Sequence, residues 1–61
     1  MSEYLFDIGD QVTIIEENLE GKVADMQKDD DGNRMYLVSY VDENGVDFEK
    51  WFEEPLITKT P

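Results

Sequence analysis

Met35-Tyr36-Leu37-Val38-Ser39-Tyr40-Val41 runs into Asp42-Glu43-Asn44-Gly45 and then into Val46 to Phe52, and this stretch decides the fold class. Side chains of a strand alternate between two faces, so Tyr36, Val38 and Tyr40 are expected to line a core. Met35, Leu37 and Val41 then share a second face that is also apolar. Asp42 to Gly45 reads as a tight hairpin connection. Asn44-Gly45 is the pair a type I′ turn selects, because both of its central positions need positive φ. The returning run carries Val46, Phe48, Trp51 and Phe52. Its adjacent Trp51-Phe52 pair breaks the alternation and predicts a bulge or a strand end.

Outward from this hairpin the same pattern repeats. Val12 and Ile14 face one way and Gln11 and Thr13 the other, and Leu56-Ile57-Thr58, just past Pro55, offers a last short strand to pair with the first. Gly9-Asp10, Glu20-Gly21, Asp31-Gly32-Asn33 and Glu43-Asn44-Gly45 punctuate the chain every ten or twelve residues. Short β-rich runs separated by turn signals at that interval predict an all-β sandwich or barrel. One segment reads two ways. Ile15, Leu19, Val23 and Met26 fall at helical spacing, whereas Gly21 in mid-helix would cost roughly 1 kcal/mol. We favour a loop over Glu16–Glu20 followed by a strand from Gly21. The expected core is Phe6, Val12, Ile14, Val23, Tyr36, Val38, Tyr40, Phe48, Phe52 and Leu56.

Sixty-one residues allow one small domain, 1–61, with its core between residues 6 and 58. Sixteen Asp and Glu against five Lys and Arg give a net charge of −11, while 39% apolar residues exceed what a disordered chain carries. Without Cys there is no disulfide framework or thiol nucleophile, and without His the commonest general base and zinc ligand is missing. No apolar run approaches the ~20 residues of a membrane span. The opening MSEYLFDIGD has neither the basic stretch nor the apolar core of a secretory leader. A cytoplasmic protein is expected. Direct nucleic-acid binding is disfavoured, because an anionic body repels a phosphate backbone. A domain this small also gains from burying surface against a second copy of itself or a partner.

Phe6-Asp7-Ile8-Gly9-Asp10-Gln11-Val12, Glu20-Gly21-Lys22-Val23, Tyr36 to Asp42 and Trp51-Phe52-Glu53-Glu54-Pro55-Leu56 together resemble the Src-homology-3-like small barrels of the Tudor and KOW kind. They are especially similar to short proteins of that fold carried by bacteria and their phages. The likeness runs from Phe6 to Leu56 through motifs that are each a strand plus a turn. It implies a small five-stranded barrel that holds partners, commonly proteins or nucleic acid; fold alone assigns no function. Two departures stand out. KOW-type nucleic-acid binders are basic on the binding face, where this chain is acidic. Tudor modules that read methylated side chains need an aromatic cage, for which Tyr40, Trp51, Tyr36 and Phe48 are the candidates, although Tyr36 and Tyr40 also suit plain core packing.

Asp29-Asp30-Asp31-Gly32-Asn33 invites a calcium reading, with Asp29 and Asp31 at EF-hand positions 3 and 5. The register then puts Gln27 at position 1 and Val38 where a bidentate Glu is required, so a solvated turn is expected. Glu16-Glu17, Asp42-Glu43 and Glu53-Glu54 sit at turn-like positions rather than in a pocket that could set two carboxylates for acid–base chemistry. No catalytic group, metal or cofactor is assigned. The expectation is a non-enzymatic protein-interaction module. It would use Met35, Leu37, Val41 and Trp51 as an apolar surface flanked by Asp47 and Glu49, against a basic or apolar protein surface or a second copy. The alternative is an acidic DNA mimic that occupies the cleft of a nucleic-acid-binding enzyme. Both readings stand beside the plainer one, in which the charge serves solubility and protects sheet edges.

Overall fold

A computed structural model describes residues 3–61; Met1 and Ser2 lie outside the described residues. The chain is all-β. Five strands, β1 (Gln11–Ile14), β2 (Leu19–Lys28), β3 (Arg34–Val41), β4 (Asp47–Glu53) and β5 (Ile57–Lys59), form one antiparallel sheet in the order β4-β3-β2-β1-β5. A 3₁₀ turn, Glu54–Leu56, joins β4 to β5. In a flat sheet those two edge strands would lie ~19 Å apart, yet a 3₁₀ turn advances only about 2 Å per residue. The sheet therefore curls until its edges converge at the 3₁₀ turn. The Ile15 N–H, donating to the Leu56 carbonyl at 3.1 Å, ties the β1–β2 loop to the same place. No strand pair joins β4 to β5, so the sheet is curled but not closed.

Segment 15–28 is loop and strand, and β2 begins at Leu19, two residues before the expected start. The loop ends on Asn18 at φ 55, the left-handed conformation that Asn tolerates. The helical spacing of Val23 and Met26 has a strand explanation. A bulge between Val23 and Asp25 re-phases β2, so both Val23 and Met26 face inward. Gly21 lies inside β2 rather than at a turn. A Cβ there would stand 2.6 Å from the Ser39 carbonyl oxygen and 2.7 Å from a Val38 methyl, so only glycine lets β2 cross β3 this closely. Trp51-Phe52 marks a strand end: β4 pairs without interruption from Asp47 to Glu53 and stops one residue later.

The hairpin turn is not type I′. Glu43 and Asn44 both have negative φ, and only Gly45, at φ 79, is left-handed. Gly45 N–H donates to the Asp42 carbonyl at 3.0 Å, and the Asp42 carboxylate accepts the N–H groups of Asn44 and Val46 at 2.9 Å each. That is a type I turn followed by a glycine bulge, and Asp42 selects it by satisfying two backbone donors that a type I′ turn would orient elsewhere. Asp29 to Asn33 repeats the device. Asp29 accepts from the N–H groups of Asp31 and Asn33 at 2.9 and 2.8 Å and from the Asn33 side-chain amide at 3.0 Å. The carboxylate considered for calcium is thus a turn staple. Among the described residues no group of three or more Asp, Glu, His or Cys is arranged to hold a metal ion.

Phe6, Val12, Ile14, Val23, Tyr36, Val38, Tyr40 and Ile57 form the buried core, with Tyr4, Leu19, Met26 and Phe52 packed against it. Of the expected core, Phe52 is half-buried against this cluster, and two further residues lie outside it. Phe48 is 42% exposed, because β4 is an edge strand with nothing beyond it to cover its inner face. Leu56 is 46% exposed, because the 3₁₀ turn interrupts the strand and turns it outward; Ile57, paired with Ile14, takes the buried place. No helix among the described residues is long and apolar enough to cross a membrane.

Candidate interaction surface

The alternation of β3 and β4 brings all six candidate binding residues onto the outer face of the sheet. Leu37 pairs with Trp51, Val41 with Asp47, Ser39 with Glu49 and Met35 with Glu53. The Asp42 N–H bonds the Val46 carbonyl, and antiparallel bonding alternates. Tyr40–Phe48, Val38–Lys50 and Tyr36–Phe52 are therefore the hydrogen-bonded pairs, and Leu37–Trp51 is a non-bonded pair whose side chains approach most closely. Met35 and Leu37 are half-buried, while Val41 and Trp51 are exposed. Met35, Leu37 and Trp51 adjoin one another, and Val41 lies beyond the Ser39–Glu49 pair; Asp47, Glu49 and Glu53 on β4, and Asp25 and Lys22 on β2, opposite Leu37 and Ser39, surround them.

Two of the acidic residues on this border lie outside the expected set. Glu53 shares the parity of Asp47, Glu49 and Trp51, so extending β4 by one residue would have found it. Asp25 was hidden by the bulge, since plain alternation from buried Val23 points it inward. The outer face thus combines carboxylates, apolar groups, Ser39 and one cation, Lys22.

The opposite face does not form the cage considered from the sequence. Tyr36 is fully buried, and Trp51 points to the other side of the sheet from Tyr40 and Phe48. Those two rings stack nearly parallel, 25° between planes and 5.8 Å between centres, where a cage needs rings standing around a cavity. A groove of about 560 Å³ does open beside them, lined by Glu17, Leu19, Tyr40, Asp42, Phe48 and Lys50 among others.

A polar network fixes β3 behind this surface. The Tyr36 hydroxyl donates to Glu54 Oε2 at 2.6 Å and accepts the Leu5 N–H at 3.0 Å, while Arg34 lies 3.4 Å from Glu54 Oε1. Burial, reinforced by the Glu54 carboxylate, pushes the Tyr36 hydroxyl above the usual tyrosine range. Elsewhere, carboxyl groups are held below their ordinary values. The Asn33 side chain lowers Asp29, the Asp7 N–H lowers Asp10, and an ion pair with Lys28 lowers Glu3.

No protein-family model, curated protein sequence or solved structure matches this chain.

Proposed function

We propose that the chain is a non-enzymatic protein-interaction module built as a small Src-homology-3-like barrel. Its outer β3–β4 face binds a partner whose surface is basic or apolar. The strand order, with β5 beside β1, and the 3₁₀ turn between β4 and β5 are the arrangement expected of such a barrel. The observation that carries the binding reading is one sheet face on which Leu37, Trp51 and Val41 stand among Asp25, Asp47, Glu49 and Glu53, with Lys22 the one cation beside them. Apolar groups at the centre supply the burial, and the charged rim selects the partner and speeds its approach. The carboxylates favour this over DNA mimicry. Glu17 and Asp42 border the inner groove, Asp29 to Asp31 occupy a loop, and Asp47 and Glu49 lie on the outer face, so they do not form one phosphate-like track. We place the protein in the cytoplasm, where a cysteine-free chain has no disulfides to lose.

The test is affinity capture from lysate of the source organism with the parent chain and a Leu37→Ser/Trp51→Ala variant, at low and high salt. Proteins retained by the parent, released by salt and lost with the variant support the reading. The same proteins on both chains would place binding elsewhere, and release of a retained DNA-binding enzyme by added duplex DNA would favour the mimic.

A further inference from the structure

β4 is an open edge of seven residues, and its free backbone groups can be assigned. Because Phe48, Lys50 and Phe52 exchange bonds with β3, the N–H and C=O groups of Asp47, Glu49 and Trp51 point away from the sheet. No strand pairs with them among the described residues. An unpaired edge of this kind is a template for another strand. The side chains specify which strand fits. On the outer side they present Asp47, Glu49 and Glu53 around Trp51, and on the inner side exposed Phe48 and half-buried Phe52 with Lys50 between them.

A second copy fits poorly. Two β4 strands paired about Lys50 set Lys50 against Lys50 and Asp47 against Glu53. Sliding the register puts Glu49 opposite Glu49, Asp47 or Glu53. Like charges directly opposed destabilise a strand pair, and each copy adds a net charge of −11.

We propose that the β4 edge accepts an extended basic segment of a partner protein as a sixth strand. Lys or Arg residues of that segment face Asp47, Glu49 and Glu53, and its alternate apolar residues lie over Phe48 and Phe52. The proposal rests on the reading of the chain as a protein-interaction module and names the edge by which it holds its partner.

The experiment is amide hydrogen exchange by NMR on the ¹⁵N-labelled chain, alone and with a seven-residue peptide alternating Lys and Val, with a Glu/Val peptide as control. Free, the amides of Asp47, Glu49 and Trp51 exchange fast and those of Phe48, Lys50 and Phe52 slowly. The Lys/Val peptide is expected to protect Asp47, Glu49 and Trp51, and the Glu/Val peptide to leave them unchanged. Glu49→Pro removes one outward N–H without touching the β3 ladder, so it is expected to fold and to bind the Lys/Val peptide about tenfold or more weakly. Equal binding of both peptides, or full affinity in folded Glu49→Pro, overturns the proposal. Shifts at Leu37 and Val41 without edge protection overturn it while leaving the outer-face reading intact. Protection that grows with chain concentration alone assigns the edge to a second copy and also overturns it.

Discussion

Tyr36→Phe removes one oxygen from the centre of the molecule and tests whether the Tyr36–Glu54 network holds the fold together. The hydroxyl serves β3, the 3₁₀ turn and the N-terminal segment at once, through Glu54 and the Leu5 N–H. A hydrogen bond to a charged group contributes about 1.5–3 kcal/mol. Leu5 is 65% exposed and the Glu54 side chain 24% exposed, so water replaces part of what is lost and the lower half of that range applies. We expect a loss of about 1.5–2 kcal/mol, equivalent to about 6–16 °C in Tm for a domain of this size. Urea denaturation followed by the fluorescence of Trp51, the chain's single tryptophan, reads the change. The midpoint falls by about 1.5–2 M for an m near 1 kcal/mol/M, with m unchanged. The alkaline limb supplies a second reading. A hydroxyl whose folded pKa is raised contributes stability that is present below the ordinary tyrosine value and lost as pH rises through the folded one. The gap between parent and variant therefore narrows above about pH 10. A loss under about 0.5 kcal/mol, the scale of an ordinary surface substitution, would refute the argument that this network ties the three segments.

Other substitutions follow from packing. Gly21→Ala forces a methyl against the Ser39 carbonyl and Val38, and chemical denaturation is expected to show a loss of about 1–3 kcal/mol. Ile57→Ala, at 4% exposure, is expected to cost about 2–5 kcal/mol by the same assay, whereas Leu56→Ala, at 46%, costs less than about 1 kcal/mol; reversed ranks would contradict the placement of the 3₁₀ turn. Asp29→Ala is expected to lower Tm at neutral pH. The stabilisation belonging to a lowered carboxyl is present above its unfolded value and fades as pH falls through the folded one. Melting curves of parent and variant therefore converge below about pH 4.

Most of the fold was legible because most strands obey simple alternation. Tyr36, Val38 and Tyr40 are buried and Met35, Leu37 and Val41 share the other face as their parity requires. What escaped the sequence was wherever a local device shifts phase. The bulge after Val23 imitates helical spacing and hides Asp25, and the 3₁₀ turn exchanges Leu56 for Ile57. Phe48 was misplaced for a different reason. Its parity is inward, but only the tertiary arrangement reveals that β4 lies at an edge. The Asn44-Gly45 pair was outweighed by Asp42, whose carboxylate organises the turn from its first residue. The outer face could be read in advance, since its residues sit on the two best-defined strands.

Trp51 emission gives the most direct test of the account, because this residue sits at the centre of the proposed surface and no other tryptophan contributes. The partner retained in affinity capture, in a form lacking tryptophan, is titrated into the parent chain at low salt. The account predicts a blue shift as Trp51 leaves water, reversed by salt and weakened by Asp47→Asn/Glu49→Gln. Binding of that partner with Trp51 emission unchanged would contradict it.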